Sequence, residues 1–297
     1  MNIHQPLVSL VINTKNEEKN LKSCVKSVAG FYDEIVVVDM HSSDKTVQIA
    51  KSLGARVIRV KDSGYVEPAR QKAIESAKGK WIMILDADER LTKKFIRIAK
   101  KLIMDESKEA IALPTKNIIF GKWIKGAGYW PNYHVRLFRR GLVTWSNKIH
   151  GEPKVKGEVY KIPALGCLAI KHLVNVDPDR ILAKTDAYSS YEKNFENVVK
   201  NRGFSSDVVL NYIAQQFRYD FVDQKGYKDG FRGYILSKLM EIYRFAEVIK
   251  YWLKHGLPLM ADEKDFINKL LLEQEYLNSR TFKYWLKLKL VRNKLGL

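Results

Sequence analysis

Short apolar runs alternate with stretches of helical spacing along the amino-terminal part of the chain. Leu7-Val8-Ser9-Leu10-Val11-Ile12, Glu34-Ile35-Val36-Val37-Val38 and Ala55-Arg56-Val57-Ile58-Arg59-Val60 are three such runs, and Trp81 to Leu85 is a fourth. Each is too short for a helix and rich in β-branched residues, so all four read as strands, the first two buried. Between them, Glu18 to Ala29 places Leu21, Val25 and Val28 at helical spacing. Ser42-Ser43-Asp44-Lys45-Thr46 supplies a capped entry into a helix ending near Leu53, and Ala69 to Ala77 forms a third helix. The resulting β-α-β-α-β-α-β order predicts an α/β fold whose parallel, right-handed sheet is covered on both faces.

The fourth run carries the most chemistry. Trp81-Ile82-Met83-Ile84-Leu85-Asp86-Ala87-Asp88-Glu89-Arg90 delivers two carboxylates to a strand's carboxyl end, where open α/β sheets place ligands. In a strand, residues i and i+2 share a side, so Asp86 and Asp88 converge on one hard cation, Mg²⁺ or Mn²⁺, with a bound phosphate completing its shell. Phosphatases of the haloacid-dehalogenase type also use a strand-borne Asp-x-Asp. They place it on the first strand with Thr or Val two residues beyond, where this chain has Arg90.

The order Asn13-Thr14-Lys15-Asn16-Glu17, Val36-Val37-Val38-Asp39, Ser42-Ser43-Asp44-Lys45-Thr46, Arg70 and Asp86-Ala87-Asp88-Glu89 resembles family 2 glycosyltransferases of the GT-A fold. Arg136-Leu137-Phe138-Arg139-Arg140, a following His and Glu, and Gly226-Tyr227-Lys228-Asp229-Gly230 make it similar to their lipopolysaccharide core-type branch. The resemblance spans roughly residues 7 to 250. It implies a GT-A nucleotide-sugar-binding fold, a mainly parallel sheet covered by helices, with an α-helical carboxyl-terminal extension. It further implies that Thr14, Glu17 and Asp39 line a nucleoside pocket, and that Arg70 lies near the base or diphosphate. Asp86 would approach the ribose or the metal, and Asp88 would ligate the Mn²⁺ or Mg²⁺ that stabilises a departing nucleoside diphosphate, UDP being the expected nucleotide.

Inverting transfer needs one general base opposite the leaving group. Lys148-Ile149-His150-Gly151-Glu152-Pro153 offers Glu152, or else His150. Relatives place His and Glu adjacent whereas Gly151 separates them here, so both stay open. His172, ending Leu168-Ala169-Ile170-Lys171-His172, matches the late His that many GT-A enzymes add as a metal ligand; a hydrogen-bonded structural His is the alternative. His134 is a weaker candidate. The loop from Phe120 to Asn132 mixes Trp123, Tyr129 and Trp130 with glycines, a flexible sugar-stacking wall or else core filling. Arg136, Arg139 and Arg140 would steer a phosphorylated acceptor or form a solvated strand face.

Composition bears on partners. With 52 Lys and Arg against 33 Asp and Glu, the formal net charge is +19, which favours anionic partners. Neither zinc-finger spacing nor an RNA-binding or helix-turn-helix signature accompanies it, so an anionic membrane surface is expected rather than nucleic acid. Ile235 to Leu253 is apolar but interrupted by Lys238, Glu241, Arg244, Glu247 and Lys250, unlike a spanning helix. Arg280 to Leu297 lacks acidic residues and aligns Tyr284, Leu288, Val291 and Leu295, as an interfacial helix would, or a packing or oligomer contact. Cys24 and Cys167 read as buried free thiols in a helix and a strand; with no apparent signal peptide, they fit a cytoplasmic protein on the inner membrane face. A boundary at Asn175-Val176-Asp177-Pro178-Asp179-Arg180 divides a catalytic domain, 1–176, from a helical extension, 177–297. The whole implies a hexosyl transfer from a nucleotide-sugar donor to a lipid-linked or envelope glycan acceptor. A soluble or protein acceptor, or a non-catalytic basic membrane- or nucleic-acid-binding protein on the same scaffold, are the alternatives.

Overall fold

The computed structural model describes residues 7–145, 153–174 and 194–256, with single positions at 183, 185, 186, 189, 262, 264, 267, 268 and 271. The apolar runs form strands β1 (Val8–Thr14), β2 (Glu34–Asp39), β3 (Arg56–Arg59) and β4 (Trp81–Asp86), joined by helices α1 (Leu21–Ser27), α2 (Thr46–Ser52) and α3 (Glu67–Ser76). These strands are parallel in the order β3-β2-β1-β4. Every residue of β1 is buried, because helices cover both sheet faces. Leu10 and Ile12 belong to one core with Leu21, Cys24 and Phe95, whereas Val11 belongs to a second with Ala69, Ala73 and Ile84.

Beyond β4 the sheet becomes mixed. A short β5 (Glu89–Arg90) and helix α4 (Lys93–Leu102) precede β6 (Ala110–Ile119), β7 (Lys122–Trp123) and β8 (Tyr133–Arg139). Strand β8 inserts antiparallel between β4 and β6. Strands β9 (Val143–Thr144) and β10 (Lys154–Val155) form a separate ribbon, β11 (Val159–Lys161) pairs with β6, and β12 (Ile170–Leu173) lies between β6 and β5. Helices α5 (Asn194–Arg202), α6 (Ser206–Arg218) and α7 (Phe231–Lys254) follow, with a π-helical turn at Tyr219–Asp223 and a 3₁₀ turn at Gly226–Asp229 between the last two.

Several expectations change. Cys24 is buried, and burial pushes its thiol pKa up, but Cys167 is exposed in a turn before β12 and not in a strand. The loop from Phe120 to Asn132 is anchored. Asp229 accepts hydrogen bonds from the backbone N–H groups of Lys125 (3.1 Å) and Gly126 (2.5 Å), and Gly126 packs so closely on Lys225 and Gly226 that a Cβ would lie 2.4 Å from the Lys225 carbonyl oxygen. Tyr129 packs with Ile119, Ile124 and Leu236, which is the core-filling role. Arg139 stacks over Trp81 and donates to the Lys108 carbonyl at 2.8 Å, so it is structural; Arg140 is exposed. His150, Glu152, the 176/177 boundary and the segment Arg280 to Leu297 lie outside the described residues. Among the described residues no helix is long and apolar enough to cross a membrane.

Candidate active site

The site lies at the carboxyl ends of β1, β2 and β4. Thr14 and Asp39 are register partners on β1 and β2, both buried. The loops that follow them are zipped together: Asn16 N–H donates to Ser42 Oγ (2.9 Å), Ser43 N–H to Asn16 Oδ1 (2.8 Å), and Glu17 N–H to Thr46 Oγ1 (2.8 Å). Asp44 caps the entry to α2 by accepting from Thr46 N–H at 2.9 Å. Asp39 accepts from Ser42 N–H (3.2 Å), and the buried Glu17 accepts from Asn20 Nδ2 (2.7 Å). Asn13 Nδ2 and Oδ1 and Thr14 Oγ1 are buried with no hydrogen-bond partner among the described residues. Such orphans are rare in proteins, and polar groups of a bound molecule would satisfy them.

Strand β4 stops at Asp86, so Ala87 and Asp88 belong to a turn and the two aspartates do not share a strand face. They face different partners. Arg70 Nη2 donates to both oxygens of Asp86, at 2.9 and 2.7 Å, and Arg136 Nη2 reaches Asp86 Oδ2 at 3.2 Å. Burial works to raise the Asp86 pKa, but these guanidiniums outweigh it and hold the carboxyl well below the usual range. Arg136 comes from β8, whose antiparallel register with β4 carries it to the strand's carboxyl end. It is 5% exposed and therefore no acceptor-steering surface group. Its Nη2 also donates to Glu89 Oε1 at 2.6 Å, while Glu89 Oε2 accepts from Asp86 N–H at 3.0 Å. Burial pushes the Glu89 pKa up, with Arg136 opposing.

Asp88 meets His172 instead. Strand β12 pairs His172 with Asn117 of β6 on one side and with Glu89 of β5 on the other, one residue past Asp88. Asp88 Oδ2 lies 3.3 Å from His172 Nε2, and His172 Nδ1 lies 2.7 Å from Asn117 Oδ1. The amide oxygen can only accept, so Nδ1–H donates to it, and Nε2, facing Asp88, is the nitrogen left either to carry a second proton to that carboxylate or to ligate a cation. Although burial disfavours the charged ring, the Asp88 hydrogen bond raises the His172 pKa. A carboxylate beside an imidazole whose other nitrogen donates to a fixed oxygen is a donor set that fits a divalent cation. Among the described residues no group of three His, Cys, Asp or Glu side chains is arranged to hold a metal ion.

On the other side of Arg70 and Arg136 a cavity of about 520 Å³ is lined by Glu67, Tyr133, His134, Trp145 and Lys161. Arg70 stands 5.7 Å over the Trp145 ring. Desolvation and the charges of Arg136 and Arg70 push the His134 pKa down, leaving a neutral ring. Trp145 and Pro153, the residues bracketing 146–152, both line this cavity.

The structure thus groups Thr14, Glu17 and Asp39 at and just beyond the carboxyl ends of β1 and β2, joins Arg70 to Asp86 at the end of β4, and pairs Asp88 with His172. Asn117 and Glu89 escaped the sequence reading. Glu89 sits inside the recognised Asp-Ala-Asp-Glu run, whereas Asn117 gives no local signal, because its partner lies 55 positions away.

Residues 9–153 match the family described as Glycosyl transferase family 2. An uncharacterized glycosyltransferase of Rickettsia typhi is 27% identical over 253 residues, covering 82% of this chain and 86% of that protein. The SPbeta prophage-derived glycosyltransferase SunS of Bacillus subtilis is 30% identical over 156 residues, covering 50% and 35% of the two chains. Among solved structures, a TarS fragment from S. aureus in complex with UDP-GlcNAc has a TM-score of 0.46 and 13% identity, covering 84% of this chain and 92% of that one. Glucosyl-3-phosphoglycerate synthase from Mycobacterium tuberculosis, solved with Mn²⁺, UDP and glucosyl-3-phosphoglycerate, has a TM-score of 0.31 and 23% identity, covering 38% and 43%. The family match takes in β1 with its Asn-Thr-Lys-Asn-Glu loop, Asp39, Arg70 and both aspartates after β4, and it places residues 9–153 in glycosyl transferase family 2.

Proposed function

We propose that this glycosyltransferase moves a hexose from a UDP-linked donor to a lipid-linked or envelope glycan, inverting the anomeric centre in one displacement. The observation that carries the reading is the Asp88–His172 pair, 3.3 Å apart beside the β4 terminus, with Asn117 fixing the imidazole. Asp88 and His172 would hold the Mn²⁺ or Mg²⁺, which when bound supplies positive charge to the leaving diphosphate. Thr14, Glu17 and Asp39 would receive the nucleoside, consistent with the orphaned polar atoms of Asn13 and Thr14. Asp86, gripped by Arg70 and Arg136, would face the ribose, and its carboxylate keeps both guanidiniums ordered.

In the transfer the acceptor oxygen forms the new bond to the anomeric carbon as the bond to the phosphate oxygen breaks. The acceptor's proton passes to Glu152 or, failing that, His150. Support for placing the acceptor in the cavity of about 520 Å³ comes from Trp145 and Pro153, which bracket those residues and line it. Glu152→Gln should retain UDP-sugar binding and lose transfer by a factor of about a hundred to ten thousand. Near-normal transfer by that variant moves the base to His150.

Thermal shift with a panel of nucleotide sugars, with and without Mn²⁺, tests the donor assignment, because a ligand that binds only the folded state raises its apparent stability. UDP-sugars should stabilise the protein in an Mn²⁺-dependent manner; no shift with any of them overturns the reading. Asn117→Ala should weaken that Mn²⁺ dependence by about ten- to a hundredfold, since His172 loses the oxygen that fixes its tautomer. An unchanged Mn²⁺ titration in this variant would separate Asn117 from the cation. A formal net charge of +19 supports an acceptor at an anionic membrane surface and a peripheral location on its cytoplasmic face.

A further inference from the structure

Helix α7 carries apolar residues on two faces: Leu236 and Val248 are buried against the protein, and a second set faces out. Its inward face includes Gly233, Ser237 and Glu247, all buried. Glu247 accepts from the Tyr212 hydroxyl (2.6 Å) and Arg244 Nη1 (2.8 Å). Its outward face presents Phe231, Tyr234, Ile242, Phe245, Ile249 and Leu253, all exposed, Phe231 at 75% and Phe245 at 51%. These positions follow one another at three- and four-residue steps, with Lys238 filling the gap between Tyr234 and Ile242, so they form one stripe along a helix about 36 Å long. At its amino-terminal end the stripe merges with a ring cluster in which exposed Phe231 stacks on Tyr234 and Tyr234 meets the half-buried Phe217 and Phe221 edge-on.

We propose that α7 is an interfacial helix that lies in the surface of an anionic bilayer. Exposed Lys225 and Lys228, together with Arg232, stand beside the aromatic end, and Lys238 lies in the stripe itself with its ammonium 4.4 Å from the Phe217 ring. Rings flanked by lysines with long apolar stems match the boundary between headgroups and acyl chains, where the stems are buried and the charges reach phosphates. Charge also decides between occupants. Pairing this face with a second copy would bring together two chains of formal charge +19, whereas an anionic bilayer complements it.

The helix is coupled to the loop that runs from Phe120 to Asn132. Leu236 packs with Ile119 and Ile124. Asp229, just before α7, holds the backbone of Lys125 and Gly126. Arg232 Nε donates to the Phe120 carbonyl at 3.2 Å. Through these contacts a bilayer under α7 is tied to the loop of Trp123 and Trp130, which suits delivery of a lipid-linked acceptor. That last clause rests on the proposed function; the membrane contact does not.

Co-sedimentation of the full chain with phosphatidylcholine vesicles, with and without about one-third phosphatidylglycerol, tests the assignment. Wild type should bind the anionic vesicles in a salt-sensitive manner. The double variants Phe245→Ser/Ile249→Ser and Lys225→Glu/Lys228→Glu should each weaken binding about tenfold or more. Both should keep the wild-type thermal shift with UDP and Mn²⁺, which reports that fold and donor site are intact. Wild type left in the supernatant, or either pair binding as wild type does, overturns the proposal. So does a dimer in sedimentation velocity that Phe245→Ser/Ile249→Ser dissociates, which assigns the stripe to a second copy. Variant-sensitive vesicle binding without transfer to any lipid-linked sugar leaves the helix assignment standing and removes the acceptor reading.

Discussion

Asp88→Asn should lower turnover by about a thousandfold and abolish the Mn²⁺-dependent part of UDP binding, while leaving the melting temperature within a few degrees of wild type. The substitution keeps shape and removes charge. Asp88 is partly exposed, and its side-chain partner among the described residues is His172, which the amide oxygen of Asn can still accept from. What is lost is the anionic donor beside Nε2. A cation held by one imidazole and substrate phosphates lacks the carboxylate that Mg²⁺ and Mn²⁺ sites characteristically use. The measurement is isothermal titration of UDP at fixed Mn²⁺, paired with initial rates on a UDP-sugar. Equal UDP affinity in wild type and variant with Mn²⁺ present would falsify the metal role of Asp88.

The contrast with Asp86 is where sequence reasoning needed coordinates. Period-two alternation made Asp86 and Asp88 neighbours on a strand face, and that inference holds only while the strand continues. Glu89 Oε2 accepts the Asp86 N–H, a local bond that helps end β4 and turns Asp88 toward β12. Strands β1, β2 and β4, with the helices between them, were legible because they are buried on both faces and read as unbroken apolar runs. Strand β8 was harder to interpret. Arg136, Arg139 and Arg140 look alike in sequence, yet the first is buried against two carboxylates, the second stacks on Trp81 and the third is exposed. Their fates depend on β8 inserting between β4 and β6, a long-range pairing that no local pattern encodes. Asn117 is invisible for the same reason. The charges that interrupt α7 point to a related lesson: Arg244 and Glu247 bond to Tyr212 of α6, so these polar positions face the protein beside Leu236 and Val248, while a second set of apolar residues faces out.

Arg136→Met should destabilise the protein by about 3–5 kcal/mol, a fall of roughly 10 °C in melting temperature. The cause is the carboxylate left behind. Glu89 is 2% exposed and receives two donors, Arg136 Nη2 and the Asp86 N–H; removing the guanidinium strips away the only cation within hydrogen-bonding distance of Glu89 among the described residues. Methionine fills much of the volume and supplies no donor, so the loss is electrostatic more than steric. Burial already raises the Glu89 pKa against the pull of Arg136, and without Arg136 it rises further. A carboxyl whose folded-state pKa exceeds its unfolded value contributes its stability below the unfolded pKa and loses it as pH climbs through the folded one. The penalty of Arg136→Met is therefore smallest in acid and grows toward neutral pH. Adding Glu89→Gln removes the charge that needs a partner, so the double variant should recover most of the loss. Urea unfolding of wild type, both single variants and the double variant, without added metal, measures the coupling. A double variant as unstable as the sum of the two singles would show that Arg136 acts through packing and Asp86 alone.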